Sequence, residues 1–418
     1  MSAITYKAQA ERLASHLSSV HKVRLKHASA LEAIAAVHAA RDWNTLAAQQ
    51  QQPAVAVGDV AVPGALAAAT ALERLFPAHS FTQPAFCDAV LRQSMQVGRG
   101  TPEERQALLC HLLRHQMLQG GGFLYIDARE EGARAQSALS ALDAARDGRA
   151  CYPVRAGSPN PIYLNALAEG DAGQRADVVL SVLPYTEGNP GADFYRQSAR
   201  YVLVALFDAL SELGQSVAVP RLAEMLAYPD EELIELEGSL PANSAARARF
   251  KLMLDGYRTG PGARIDAAKM RTVLGGVAGR LYSLFDDEEA PEMAKRHSWR
   301  DVIRDGMAFY ASDAMGRFMV ASLAAASRAV GEVAGSRPFT VFIVGPDAHE
   351  FLSAELSEAL REAGIGLVVS TEREVSRVPF ALRADVVSTG GFARPSTVRI
   401  SCADGASLDA RLDEYRDG

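Results

Sequence analysis

The 418-residue sequence contains no long uninterrupted apolar run. No stretch reaches the roughly 18 to 20 apolar residues that a membrane-spanning helix needs. The N-terminal segment 1–17 also lacks the apolar core that is typical of a secretory signal peptide. We therefore expect a cytoplasmic protein without a membrane span.

Cysteine is scarce, and its spacing matters more than its number. The four cysteines lie far apart and form no CxxC pair: Cys87, Cys110, Cys151 and Cys402. This pattern is typical of buried thiols in a reducing compartment, and not of a zinc site or a disulfide framework. His111 and His115 have the spacing of a metal pair on a helix, but no third ligand is evident. We predict no metal and no cofactor.

Excess positive charge is missing as well. The net charge of −7 argues against a surface devoted to nucleic acid. Hydrophobic residues make up 48% of the chain, which is enough to fill a substantial core, and the length predicts two to three domains.

The hydrophobic pattern divides the chain into four segments. Residues 1–52 have helical periodicity and end at a Gln run followed by Pro53. Residues 53–165 and 305–418 alternate strand and helix patterns, whereas 166–304 are almost entirely helical. We therefore predict an α/β fold of mostly parallel strands buried on both faces, interrupted by an all-α insertion and preceded by a small helical module.

Individual elements can be assigned within the α/β segments. Short apolar runs predict three buried strands at Phe123–Asp127, Phe339–Val344 and Gly366–Ser370. We also predict a strand at Val55–Val62 and helices over 66–75, 133–146, 315–330 and 351–363.

The most informative stretch is Gly98–Asp127, which reads GRGTPEERQALLCHLLRHQMLQGGGFLYID. A Gly-containing loop with Gly98 and Gly100 leads into an apolar helix, a Gly break and a strand that ends in Asp. This is the frame of a nucleotide-binding P-loop, in which Lys reaches the phosphates and Ser or Thr binds Mg²⁺. Glu104 and Arg105 stand at those positions instead. A carboxylate facing a triphosphate repels it.

The order of parts resembles the conjugative coupling proteins of type IV secretion (TraG/TraD-type), which belong to the RecA-like DNA-translocase superfamily. The resemblance covers roughly residues 90–398. It is carried by the following segments: Leu108–Leu118, Gly120–Gly122, Phe123–Asp127, Asn160–Ile162, Asp301–Tyr310, Phe339–Val344 and Arg361–Glu372. The resemblance implies a RecA-like P-loop-type core, and Arg361 matches the arginine-finger position of the family.

The departures from the family fall on its catalytic positions. Glu104 and Arg105 replace the Walker A Lys and Ser/Thr, and Gly345 and Pro346 replace the Walker B Asp-Glu. Asp347 is offset by two residues, and Glu372 stands where the family has a Gln that senses the γ-phosphate. We therefore predict no catalytic residues and a degenerate nucleotide site with these members: Gly98, Gly100, Glu104, Arg105, Asp127, Gly345, Pro346, Asp347 and Glu372.

The N-terminal segment has a resemblance of its own. Val23–Ala48 is similar to a short glyoxalase-related module found at the ends of mobile-element proteins. The segment is too short and too helical for glyoxalase chemistry, so we interpret it as a docking module. Lys22, Arg24 and Lys26 form a basic stretch that is a candidate DNA contact.

Three functional hypotheses follow. The first is a catalytically inactive relative of the coupling ATPases, which binds protein partners or copies of itself within a DNA-transfer or mobile-element assembly. The second is an NTPase with a rearranged site in which Asp127, Asp347 and Glu372 surround a metal. The third is a DNA-binding adaptor that uses the N-terminal basic stretch.

Overall fold

The computed structural model describes residues 84–128, 150–151, 163–183, 190–259, 264–285, 296–331, 338–373, 375, 378–387, 396–402 and 407–412. These residues belong to the second of two units, Met1–Val62 and Pro63–Gly418, into which the chain divides. The predicted N-terminal module, the strand at Val55–Val62, the helices over 66–75 and 133–146, and the turn at Asn160–Ile162 lie outside the described residues.

A nine-stranded sheet organises the described part of the chain. Its strands are β1 (Ser94–Val97), β2 (Gly122–Asp127), β3 (Ala150–Cys151), β6 (Ala308–Ser312), β7 (Phe339–Val344), β8 (Gly366–Ser370), β9 (Leu382–Val387), β10 (Ser396–Cys402) and β11 (Ser407–Leu412). Their order across the sheet is β11-β10-β9-β1-β8-β7-β2-β6-β3. The strands from β9 to β3 in this order all pair in parallel. Strands β10 and β11 extend the sheet in antiparallel fashion. The predicted mostly parallel sheet is confirmed.

The central strands are buried on both faces, as their apolar sequences predict. Every residue of β2, β7 and β8 is buried. Along β2, Leu124 and Ile126 pack into one hydrophobic cluster, while Phe123 and Tyr125 pack into another on the opposite face. The continuous apolar runs thus reflect a sheet with a core on each side.

Twelve helices are found in the described residues. They are α1 (Pro84–Leu91), α2 (Pro102–Leu118), α3 (Ala172–Leu180), α4 (Pro190–Glu212), α5 (Val219–Ala227), α6 (Pro229–Ser239), α7 (Ala245–Asp255), α8 (Ala267–Phe285), α9 (Trp299–Arg304), α10 (Asp313–Ala325), α11 (Ser327–Gly331) and α12 (Ala354–Glu362). Helices α1 and α2 cover one face of the sheet. Helices α3 to α12 contribute to the cluster on the other face.

The two ends of the helical region lie next to each other. Two short strands, β4 (Tyr163–Leu164) and β5 (Arg296–His297), flank helices α3 to α8 and pair with each other in parallel. The carboxylate of Glu169 also accepts hydrogen bonds from the backbone N–H groups of Trp299 and Arg300, both at 3.3 Å. These contacts hold the segment entering the helical region against the segment leaving it.

Some element predictions need correction. The predicted helix over 315–330 is two helices, α10 and α11, which are separated at Ala326. The predicted helix over 351–363 begins as a 3₁₀ turn at Ala348–Phe351 before α12. Sequence analysis did not identify α1, β1 or β11. Strand β1 has only four residues, including the polar Gln96, so its sequence alone gives a weak strand signal.

Candidate functional site

Three loops that carry predicted site residues meet at the carboxyl edge of the sheet. Strand β8 lies between β1 and β7, with Ser370 opposite both Val97 and Val344. Because parallel strands end at the same edge, the loops after β1, β7 and β8 lie next to one another. They line a small cavity of about 190 Å³ with these walls: Pro102, Arg105, Gln106, Leu109, Val344, Gly345, Pro346, Ser370, Thr371 and Glu372.

The loop after β1 is hydrogen-bonded to β9. The N–H of Gly98 donates to the carbonyl of Ala384 at 3.0 Å, and the N–H of Arg99 donates to the carboxylate of Asp385 at 2.9 Å. A phosphate-binding loop instead directs such N–H groups at its ligand. Gly100 has a φ of +117°, a conformation that glycine adopts readily. The loop therefore keeps a Gly-dependent turn while two of its N–H groups donate to the neighbouring strand.

The N-terminus of α2 is closed by a capping box. The Thr101 hydroxyl accepts from the Glu104 N–H at 3.2 Å, and the Glu104 carboxylate accepts from the Thr101 N–H at 2.8 Å. Pro102 at the first helical position has no N–H to offer. Glu104 therefore places a negative charge at the N-terminus of α2, which is the position that a phosphate occupies in a P-loop.

Arg105 forms a bridge across the site. Its side chain is only 9% exposed, and its guanidinium donates to the carbonyl of Gly100 at 2.7 Å and to the carboxylate of Glu372 at 2.8 Å. Glu372 is 68% exposed. Arg105 and Glu372, both predicted members of a degenerate nucleotide site, thus form an ion pair with each other.

The loop after β7 has a backbone role in the site. Gly345 has a φ of +137°, and its N–H donates to the carbonyl of Ser370 at 3.0 Å. The carbonyl of Pro346 accepts from the Thr371 hydroxyl at 3.5 Å. The Asp347 carboxylate is half-buried and lies 3.9 Å from the guanidinium of Arg373. Gly345 and Pro346 therefore connect the ends of two strands and bring no carboxylate to the cavity wall.

Asp127 lies apart from the cavity. It ends β2 opposite Val344 and is 2% exposed. Its carboxylate accepts a hydrogen bond from the Tyr310 hydroxyl at 3.5 Å. Within the described residues, no group of three or more His, Cys, Asp or Glu side chains is arranged to hold one metal ion. The structure thus gives no support to a metal site built from Asp127, Asp347 and Glu372.

Arg361 is at the other edge of the sheet. It lies in the last turn of α12, ahead of the amino end of β8, and it forms an ion pair with Glu358 on its own helix. The site loops follow the carboxyl end of β8. Arg361 is thus separated from this chain's own candidate site by the length of that strand.

The two candidate metal histidines contact helix α1. His115 lies 2.8 Å from the Asp88 carboxylate, and His111 lies 3.9 Å from the Cys87 thiol. Burial, together with the nearby Asp88 charge, raises the pKa of Cys87 to about 12, so this thiol is unreactive at neutral pH. The basic residues Lys22, Arg24 and Lys26 lie outside the described residues.

Sequence reasoning missed several residues of the site. Thr101 could have been found, because Thr-x-x-Glu with Pro at the first helical position is a capping-box signature. Asp385 and Arg373 gave no such signal, since their partners are distant in sequence. In the described part of the chain, no helix is both long and apolar enough to cross a bilayer.

Comparison with known proteins gives a family match at the N-terminus and two structural similarities. Residues 1–87 match the family described as "Glyoxalase superfamily protein", which confirms the resemblance seen in Val23–Ala48 and extends into the start of α1. No curated protein matches the chain.

Two structures of the bacterial conjugative coupling protein TrwBΔN70 are similar to this chain. The unbound monoclinic form is 13% identical, covering 78% of this chain and 86% of that one, with a TM-score of 0.45. The trigonal form with sulphate is 15% identical, covering 77% and 79%, with a TM-score of 0.41.

Proposed function

We propose that this chain is a catalytically inactive coupling-ATPase-like protein that acts by binding, as an assembly component of a conjugative DNA-transfer or mobile-element system. One observation carries the inactive part of the proposal. The groups that would hold a phosphate are engaged inside the protein, by the bonds of the Gly98–Arg99 backbone to β9, the Thr101–Glu104 capping box and the Arg105–Glu372 ion pair. The assembly part rests on the sequence resemblance to the coupling proteins.

Charge and space both oppose a nucleoside triphosphate at this site. Three carboxylates surround the loop after β1, those of Glu104, Glu372 and Asp385, and the nearby guanidinium groups of Arg105 and Arg383 are paired with the last two of them. The cavity of about 190 Å³ is smaller than the roughly 300 to 1,000 Å³ typical of small-molecule sites. Opening it would break charge-assisted hydrogen bonds worth about 1.5 to 3 kcal/mol each. Phosphoryl transfer also needs a cation on the phosphates and an oriented water, and the positions that supply them in the family are changed.

A nucleotide titration tests the inactive part. Calorimetry of the full chain with Mg²⁺-ATP is expected to show no saturable binding up to about 1 mM, which corresponds to a binding free energy weaker than about −4 kcal/mol. Micromolar binding that is abolished by Asp347→Ala would contradict the proposal and favour the rearranged NTPase. Arg280→Ala is the matched control, because Arg280 is exposed on α8 and does not line the cavity.

A complementation experiment tests the assembly part. Deleting the gene from its host is expected to reduce transfer of the mobile element. Wild-type protein and the Asp347→Ala and Glu372→Gln variants should restore transfer equally, because none of them needs to turn over nucleotide. Loss of transfer with either variant at normal protein level would contradict a purely binding role.

A further inference from the structure

A second and larger cavity lies away from the candidate nucleotide site, between the helical region and the α/β core. It is a groove of about 550 Å³, within the range typical of binding sites. Its floor is one face of α10, which contacts α3 on one side and α12 on the other. Glu350, Phe351 and Ser353 of the loop after β7 line the groove, but it shares no lining residue with the smaller cavity at the candidate nucleotide site.

The shape of the groove fits an α-helix. The α10 residues that line it recur at helical spacing, Arg317, Val320, Ala321, Ala324 and Ala325. At about 1.5 Å per residue, this face is about 12 Å long, or roughly two helical turns. The three alanines are only half-buried although they lie beside the main core. Small side chains on a helix face allow the backbone of a second helix to approach closely.

The walls of the groove carry both apolar residues and charged residues. Val178 on α3 and Leu356 on α12 line opposite walls together with Phe351 of the 3₁₀ turn. Most charged groups in the groove are already compensated: Arg317 binds Glu350 at 2.7 Å, and Asp177 binds Arg200 at 2.7 Å. The bottom of the groove is therefore apolar and its borders are polar.

Arg196 favours a negative charge on any segment that binds in the groove. It lies on α4 at the wall of the groove, and no ion pair or hydrogen bond joins its side chain to another described residue. A carboxylate on the bound segment would complement it. The exposed Glu355 on the α12 wall would repel a second carboxylate there. The charges thus favour a segment that is acidic along one border of its apolar face only.

We propose that this groove binds an amphipathic helix of a partner protein, with apolar residues at i, i+3, i+4 and i+7 on the α10 face and an Asp or Glu beside Arg196. No residue that lines this docking site also lines the cavity at the candidate nucleotide site. A partner held here would contact the helical region and the α/β core at once.

A displayed library of amphipathic helices of about 15 residues, with randomised borders, tests the proposal on the full chain. Selection should enrich helices with an acidic residue at one border. Enriched peptides should bind Ala324→Trp at least about tenfold more weakly, because the indole fills the groove. Ala321→Glu serves as a second blocking variant, and thermal melting verifies that each variant is folded. The proposal is overturned if no helix is enriched, or if the enriched helices bind folded blocking variants as tightly as wild type.

A charge exchange tests the contact with Arg196. Arg196→Glu should weaken the acidic peptide about fivefold, as expected for a partly exposed ion pair, and changing the peptide's acidic residue to Lys should restore binding. Arg280→Glu, on α8 outside the groove, should change nothing. An equal loss with Arg280→Glu, or no rescue by the Lys peptide, would contradict the assigned contact.

Discussion

The Arg105–Glu372 ion pair joins two loops of the candidate site, and its contribution to stability can be measured. Arg105 is nearly buried whereas Glu372 is mostly exposed, so truncating the arginine should cost more than truncating the glutamate. Arg105→Ala also leaves the Gly100 carbonyl without this donor. We expect losses of about 2 kcal/mol for Arg105→Ala and about 1 kcal/mol for Glu372→Ala in the free energy of unfolding.

A double-mutant cycle separates the pair from its surroundings. We expect a coupling energy near 1 kcal/mol between Arg105 and Glu372, measured by urea unfolding of both single variants and the double variant. Arg361 and Glu358 provide the control, since they form an exposed ion pair on α12 for which about 0.3 kcal/mol is expected. Equal coupling in the two pairs would mean that the site pair is no more than a surface contact.

Replacing either of two glycines by alanine should change the stability of the protein, but in opposite directions. An alanine Cβ at Gly366, the first residue of β8, would lie 1.7 Å from the carbonyl oxygen of Leu91. A Cβ at Gly276, in the middle of α8, meets nothing within 4 Å. Gly366→Ala should therefore cost about 3 kcal/mol or more, while Gly276→Ala should stabilise the protein by about 0.5 to 1 kcal/mol. Chemical unfolding of the two variants distinguishes these signs directly.

At the scale of elements, Glu169 joins the start of the helical region to the N-terminus of α9. Burial raises the pKa of this carboxyl, even though hydrogen bonds from Arg300, Ser298 and Trp299 partly oppose the shift. Because the folded pKa lies above the unfolded one, the folded state binds the proton more tightly. The stabilisation from protonation is complete below the unfolded value near 4.5 and is lost as pH rises through the folded value.

The Glu169→Gln variant makes this pH dependence measurable. The glutamine side chain cannot titrate, so the stability of wild type relative to the variant should decrease from about pH 4.5 upward and then level off. Unfolding free energies across this pH range give the difference curve. A difference that increases with pH would mean that the folded pKa of Glu169 is depressed instead.

The elements that sequence predicted well are those whose environment is uniform. The strands at Phe339–Val344 and Gly366–Ser370 are apolar at almost every position because both faces of the sheet are covered, and their predicted bounds match β7 and β8. Strand β1 was missed because its structure depends on parallel pairing with β8 and β9, both distant in sequence. Local pattern carries no information about such partners.

The candidate site was likewise predicted from sequence only in part. Glu104 and Arg105 were identified because a P-loop requires other residues there, which is visible in one short stretch. The contacts of this region could not be predicted from the sequence. Arg105 binds Glu372 and the Arg99 N–H donates to Asp385, and both partners lie more than 260 positions away. Sequence therefore located these positions, and the structure supplied the contacts that their side chains make.

At the scale of the molecule, the helical region and one face of the sheet share a single hydrophobic cluster. That cluster runs from Leu124 of β2 through helices α3 to α8 to the strands β7 and β8. Trp299 lies within it, fully buried, with its ring centroid 6.0 Å from that of Phe309 and 6.3 Å from that of Phe339. An insertion that shares its core with the sheet should not unfold by itself.

Cooperative unfolding is therefore the final prediction. The chain has two tryptophans, so a Trp43→Phe background leaves Trp299 as the fluorescence reporter of the sheet-facing core. Circular dichroism at a helix-sensitive wavelength reports mainly on the helices, and α3 to α8 contain more than half of the helical residues that the structure describes. We expect the two signals to give coincident midpoints in urea, because loss of the helices would expose the apolar face of β2 and β7. Separate midpoints, with the helical signal lost first, would show that the helical region folds as an independent domain.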